Sequence, residues 1–348
     1  MSQADERELQ LAQLEAAVAE FDARVAAEPE AAFPAHAEAL LNLAGAQAEA
    51  GQLEDALASA ERAVEQYRRL FVAQPADFAV SLASALNTLS NRLSELGRDD
   101  DGRAAGDEAF QLARKAVEVD PDQARFVLVS VLMNQSGRSW RAGQSLRAIE
   151  EMGTAVDEFR AGGAALYPYL GTVVDALHRN AMALAEAGRW DEAVMVRRMT
   201  AKAFPDGHVP PPVSHLLALT MQQGAFALSR AGRPGEGLPL VEEAVDIARG
   251  LAEAAPEQYR LFLAQSLANL ASRQHESHAD AEALEAALEA VNAFQEVAKV
   301  DAASAIVPLA ATLETFASIL ATLGYTDQAR NVLAQREQLQ AAMRPVEQ

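Results

Sequence analysis

The side chains able to do chemistry are few, and their spacing narrows what they could do. His275 and His278 lie three apart in RQHESHAD, with Glu276 and Asp280 beside them. Two imidazoles and two carboxylates could hold a transition metal. The H-E-x-x-H spacing that puts two ligands on one helix face is missing, so the segment reads as a polar turn. The aspartates of DDDG (99–102) are adjacent, whereas a calcium loop needs oxygens at alternate positions; they read as a helix N-cap. GRPGEG (232–237) lacks the phosphate-loop lysine and reads as a hairpin turn. His208 and His215 have no carboxylate arrangement near them, and no G-x-S-x-G elbow presents a serine. There are no cysteines. No catalytic residue, metal site or cofactor is expected.

A second set is more regular. Asn42, Asn87, Asn134, His178 with Arg179, Gln222 with Gln223, and Asn269 recur once per 40-odd residues. One helical turn further on stand Asn91, Arg92, Arg138 and Arg273. A primary amide carries two donors and an acceptor, so one Asn can bond both the N–H and the C=O of an extended peptide. Guanidinium groups would add a preference for carboxylates.

Such regularity requires a repeating element to position it. LASALNTLSNRLSELGRDDDGRAAGDEA (82–109) holds a helical segment with Leu86, Leu89 and Leu93, a stop at Gly97, and a second segment with small residues. The same punctuation recurs at Gly51, Gly143, Gly188, Gly232 and Gly324, and the one missing marker falls at His278. Eleven residues before each marker stand Leu40, Leu86, Leu132, Leu177, Met221, Leu267 and Leu313. Seven before it the residue is always Ala or Ser, five after it Ala or Gly, and twelve after it Ala except for Thr200 and Arg336. Large residues fill the space between two helices while small ones let the backbones approach.

This register predicts seven antiparallel hairpins. Their first helices cover 34–50, 78–96, 122–142, 166–187, 213–231, 258–276 and 303–323. Their second helices cover 53–73, 100–119, 145–161, 190–203, 235–254, 280–299 and 326–342. Residues 1–30 supply an N-terminal capping helix, 31–204 hairpins one to four, and 213–342 hairpins five to seven, with 343–348 a tail. Prolines at 75, 121, 205 and 256 are expected to stop helices between units, and PDGHVPPP (205–212) to be a stiff, extended connection. Trp190 is expected to pack; Trp140 either packs or lines a groove. Arg336 and Glu337 break the register, as a polar outer face on a terminal helix would.

Composition agrees and excludes other classes. The 348 residues are 50% hydrophobic but only 5% aromatic, so Ala and Leu carry the core. A net charge of −21 repels nucleic acid and anionic membranes, so neither is expected as a partner. The polar, acidic start is unlike a signal peptide, and a cytoplasmic chain is expected.

A large residue, a small one seven before a turn glycine, then alanines five and twelve after it, is similar to the tetratricopeptide repeat. The usual repeat has 34 residues and these average about 45. Longer helices carry the difference, as in the kinesin-light-chain-like branch, whose first helix ALLNLAG (39–45) and SLANLAS (266–272) resemble. The resemblance implies an all-α, right-handed superhelical solenoid with first helices on its inner surface. It implies a non-enzymatic scaffold holding a partner protein or peptide segment in a concave groove. Asn42, Asn87, Asn134 and Asn269 would grip backbone, and Arg92, Arg138, Arg179 and Arg273 carboxylates. The alternatives are a ligand- or peptide-sensing regulator acting through a partner protein, and a module that self-assembles through its end faces.

Overall fold

A computed structural model describes residues 3–343 of the chain, so residues 344–348 of the expected tail lie outside the described residues. Among the described residues there are fifteen α-helices and no strand. A leading helix, α1 (Gln3–Ala27), precedes seven hairpins. The first helices are α2 (Pro29–Glu49), α4 (Pro75–Glu95), α6 (Pro121–Arg141), α8 (Leu170–Glu186), α10 (Pro211–Arg230), α12 (Pro256–Glu276) and α14 (Ala302–Thr322). The second helices are α3 (Leu53–Ala73), α5 (Asp99–Val119), α7 (Ser145–Ala161), α9 (Trp190–Ala203), α11 (Pro234–Ala254), α13 (Asp280–Ala298) and α15 (Thr326–Met343).

Each hairpin turn closes in the same way. At the second, Arg98 N–H reaches back to Leu93 O at 2.9 Å and Gly97 N–H to Ser94 O at 3.1 Å, with Gly97 at φ 73°. These two bonds satisfy helix-end carbonyls and require a left-handed residue, which glycine adopts without steric cost. His278 takes the same conformation at φ 62°, with Ala279 N–H on Gln274 O at 2.8 Å. The turn survives there without glycine because the backbone bonds on either side and the packing of the two helices over-determine it.

The register positions form the core. Leu40, Leu86, Leu177, Met221 and Leu267 are fully buried, and so are Ala44, Ala225 and Ala271 seven before the marker. Where serine stands there instead, its hydroxyl crosses the hairpin: Ser136 Oγ donates to Ala148 O at 2.8 Å, and Ser90 Oγ to Gly102 O. The small residues are needed for clearance. A Cβ at Gly237 would sit 2.9 Å from Ala225 Cα, so any larger side chain would force the two helices apart. Arg336 is half-buried and pairs with Glu314 at 3.1 Å.

Several sequence expectations change in detail. Pro75, Pro121 and Pro256 do not merely end the preceding helix; each opens the next as its first residue, where the missing N–H has no intrahelical acceptor to lose. The start of α8 falls at Leu170 rather than 166, because 3-10 turns at Gly163–Ala165 and Tyr167–Tyr169 precede it. The stretch 205–212 is only partly extended: Pro205–Gly207 is a 3-10 turn and Pro211 already opens α10. The aspartates 99–101 occupy the first turn of α5, where the helix dipole favours them, but do not cap it through a side chain; the cap position is Arg98. Side-chain capping is made by Asp120, on Gln123 N–H, and Asp301, on Ser304 N–H.

The chain divides into two compact units, Met1–Ala176 and Leu177–Gln348, with the division inside α8. In the first, each helix from α1 to α7 packs on the next; in the second, each from α9 to α15 does so. Within each unit the first helices also pack on one another: α2 on α4 and α4 on α6, then α10 on α12 and α12 on α14. Among the described residues the second helices have no such packing of equal extent, so each unit curves with its first helices inward. On the opposite side Glu54, Glu61, Glu65 and Glu242 are exposed, and pairs such as Arg68–Glu108 and Arg249–Glu289, both 2.6 Å, join successive second helices. Such exposed pairs stabilise by about 1 kcal/mol at most. Helix α14 is long and apolar enough to cross a membrane, with a mean hydropathy of 1.6, yet its Leu309, Leu313 and Leu320 belong to a core shared with α13 and α15.

Candidate functional site

The first-helix face of the second unit carries two adjoining cavities. The larger, about 470 Å³, lies over α10 and α12; Phe226 and Leu219 provide apolar surface and Trp190 enters from the start of α9. Gln222, Gln223, Asn269 and Arg273 line the same space. The smaller, about 360 Å³, runs on towards α14, with Phe262, Pro308, Thr312 and Thr315 along it. Leu219, Gln222 and Asn269 line both. The wall between the cavities is therefore an amide pair: Asn269 Nδ2–H donates to Gln222 Oε1 at 2.7 Å, and Gln222 Nε2–H donates to Ser266 Oγ at 2.7 Å.

Helical spacing explains the grouping. Gln222 and Phe226 are four apart on α10, and Asn269 and Arg273 four apart on α12, so each pair shares a face. Arg273 lies over the Phe226 ring at 5.7 Å and donates to Glu276 at 2.7 Å, while its Nη1 is buried without an acceptor. Phe226 nevertheless remains 56% exposed, unusual for a large aromatic on an inward face. Gln223 is exposed. Trp190 both packs, its Cβ standing 3.1 Å from where a Cβ on Gly224 would be, and borders the cavity.

The first unit disposes of its set differently. Asn134 Nδ2–H donates to Asn87 Oδ1 at 3.1 Å, Arg138 Nη1–H to Asn91 Oδ1 at 3.4 Å, and Arg92 Nη1–H to Ala44 O at 3.3 Å. Each bond joins one first helix to the next. Arg92 also pairs with Glu95 at 2.9 Å. Asn42 is exposed on α2. Each bonded asparagine keeps part of its capacity, since one bond leaves an amide two further groups. At the fourth hairpin His178 turns towards α9, where its Nδ1 lies 2.7 Å from Nη1 of the buried Arg197, while Arg179 is exposed. Burial pushes the Arg197 guanidinium below its ordinary pKa.

Sequence reasoning missed Phe226, Phe262 and Pro308. One turn beyond Gln222 on the same face would have led to Phe226, but Phe262 and Pro308 enter through packing between hairpins. His36 was missed as well: it is 1% exposed, with Nδ1 3.0 Å from Gln66 Nε2 and Nε2 3.3 Å from Asp22. His215 meets Tyr259 and Phe262 edge-on, and burial lowers its pKa.

The turn at His275 forms a hydrogen-bonded chain. Its Nδ1 lies 2.5 Å from Asp280 and its Nε2 3.0 Å from Ser318 Oγ, an order of groups found in serine hydrolases. Ser318 stands within α14, where its own backbone N–H belongs to the helix and cannot stabilise an oxyanion. The chain's evident effect is to tie α12, α13 and α14 together at the turn. Among the described residues no three His, Asp or Glu side chains are placed to hold a metal ion.

Residues 82–122, which span most of α4, all of α5 and the start of α6, match the family model for the tetratricopeptide repeat. No curated protein matches the chain. Several solved structures are similar to it. BtubC (BKLC) from P. vanneervenii is 16% identical over 85% of this chain and 95% of its own, with a TM-score of 0.33. The nuclear import adaptor Nro1 of S. pombe is 13% identical over 83% and 94%, with a TM-score of 0.40. The signal-transduction ATPase PH0952 from Pyrococcus horikoshii, which has a tetratricopeptide repeat sensor, is 13% identical over 97% of this chain and 48% of its own, with a TM-score of 0.37. At these identities and scores nothing those proteins bind passes to this one.

Proposed function

We propose that this chain, whose hairpins are of the tetratricopeptide-repeat type, is a non-enzymatic cytoplasmic scaffold that holds an extended segment of a partner protein. The observation that carries this reading is the pair of adjoining cavities on the first-helix face of the second unit, divided by the Gln222–Asn269 amide pair. An extended peptide places alternate side chains about 7 Å apart on one side. Two apolar side chains would enter the cavities while the backbone between them crosses the wall. Gln222 and Asn269 retain donors and acceptors for that backbone, and Gln223 lies exposed beside them. Arg273, with one buried N–H lacking an acceptor, would favour an acidic residue or a C-terminal carboxylate next to the first side chain. On the first unit, taken by itself, Asn42, Asn87, Asn91 and Asn134, with Arg92 and Arg138, would offer backbone contacts through their remaining groups; on the second, His178 and Arg179 would do so at the fourth hairpin.

Phage display of peptides against the full chain, followed by calorimetry on the selected sequences, tests this. Binders should carry two apolar residues in alternate positions with an acidic neighbour. Phe226→Ala should weaken them by about 2 kcal/mol, the loss expected on truncating a central aromatic anchor. Binders indifferent to Phe226→Ala and Asn269→Ala together would remove the assignment.

A further inference from the structure

The first unit contains a different kind of cavity, at the turn edge of its third hairpin, which shares Arg138 with the first-helix polar set. It measures about 110 Å³ and is enclosed by the start of α5, the end of α6 and the start of α7. Four guanidinium groups line it, those of Arg103, Arg138, Arg141 and Arg147, in a chain with 29 basic and 50 acidic residues. The acidic groups on its wall are Asp99, Asp107 and Glu151.

The two inner acids are already engaged. Glu151 accepts from Arg147 Nε at 2.8 Å and from Ser139 Oγ at 2.8 Å. Asp107 accepts from Gln135 Nε2 at 3.1 Å and stands 3.9 Å from Arg147. Arg147 thus answers both, and the wall as a whole carries four guanidinium groups against three carboxylates. Arg103 reaches only Asp100, at 3.9 Å on the exposed side. Arg141 is exposed and has no carboxylate partner among the described residues. Arg138 makes the long bond to Asn91, and its Nη2 is buried with no acceptor. Burial lowers the Arg138 pKa first of all, and Arg141 and Arg103 lower it further against the pull of Glu151 and Asp107. A buried cation with an unmet donor is an unfavourable arrangement that an anion would relieve. The backbone is shaped around it, since a Cβ at Gly106 would collide with Arg138 Nη2.

We propose that this cavity binds a small tetrahedral oxyanion of the phosphate class, held by Arg138 from below and by Arg103 and Arg141 from the rim. The volume holds several water molecules but no peptide side chain with its backbone, which suits a compact anion. The guanidinium groups outnumber the carboxylates on the wall, and the planar forks of Arg103, Arg138 and Arg141 match phosphate oxygens.

The test is titration calorimetry of the full chain with inorganic phosphate, sodium chloride holding ionic strength constant. One saturable site is expected. Arg138→Gln and Arg141→Gln should each weaken it on the order of ten-fold. Arg141 is exposed, so its variant keeps the test meaningful if Arg138→Gln fails to fold. Gly106→Ala should also weaken binding, by displacing the guanidinium, while Arg249→Gln on α11 should leave it unchanged. Acetate should bind far more weakly. Absence of saturable phosphate binding, equal affinity in the Arg138 and Arg141 variants and the unaltered chain, or acetate binding as tight as phosphate would each overturn the proposal. Arg138 also belongs to the proposed peptide face, so the two readings are separated by Arg141→Gln, which should weaken phosphate alone, and by Phe226→Ala, which should leave phosphate binding unaltered.

Discussion

The two units use the same hairpin and the same register, yet their first-helix faces differ. In the first unit polar side chains join α2, α4 and α6 across the face through Asn134–Asn87, Arg138–Asn91 and Arg92–Ala44. In the second unit first helices are also joined, through Asn269–Gln222, Ser229–Glu276 and His275–Ser318, but Phe226 stands exposed and two cavities flank the amide pair. The difference lies in the residue standing one helical turn beyond each amide. Beyond Asn87 and Asn134 stand Asn91 and Arg138, which bond each other. Beyond Gln222 stands Phe226, which has no hydrogen-bonding group and leaves Arg273 to lie over its ring. One residue type at a repeated position therefore separates a second polar bond between first helices from an exposed aromatic beside a cavity.

The bonds between first helices should contribute unequally to the stability of the two units. Asn134→Ala leaves a half-buried Asn87 carbonyl without its donor and should cost about 1–2 kcal/mol of stability. Asn269→Ala, on an exposed pair whose Gln222 keeps Ser266, should cost less than about 0.5 kcal/mol. Chemical denaturation of both variants measures this; equal losses would mean that the two faces are not distinguished as described.

The turns differ as well. Unit one has glycine at every marker, whereas unit two spends a histidine at 278. His278→Gly should stabilise by about 1 kcal/mol, since a left-handed residue with a Cβ is strained, and Gly97→Ala should destabilise by a similar amount. Melting temperatures moving in opposite directions would bear this out. A drop for His278→Gly would mean that its side chain does more than occupy a turn.

The smallest effect is with pH. Burial is the main cause lowering the pKa of His36 in the first unit and His215 in the second, from an ordinary value of 6.5. The unfolded chain then binds the proton more readily than the folded one. Each contribution is complete above pH 6.5 and is lost as pH falls from there towards the lower folded value. His36 lies near Asp22, which pulls its pKa back up; His215 meets Tyr259 and Phe262 edge-on. Thermal melts between neutral and mildly acidic pH should flatten in His215→Phe, whose ring can keep the contacts with Tyr259 and Phe262 while removing the proton site. An unchanged pH slope would show that His215 does not titrate in this range.

Much of this is legible in the chain. Hairpin number, turn positions and the buried leucines and alanines come from a register in which each position has the same neighbours in every copy, so one chemical requirement is written seven times. That register alone locates the turn at His278, where no glycine marks it. Helix starts are less legible, since Pro75, Pro121 and Pro256 signal a stop and a start with equal force. The fate of the amides is not legible either: Asn134 and Gln222 look alike in sequence, and only the neighbouring first helix determines what each one meets.

The repeated hairpin is a local property, because periodicity, turn glycines and small residues at crossings act over short distances along the chain. Tertiary structure alone decided which polar side chains bond one another and which border open space. Those partners lie 40-odd residues apart, on helices whose spacing no local pattern encodes. The guanidinium cluster around Arg138 and the cavities beside Phe226 arise from that spacing.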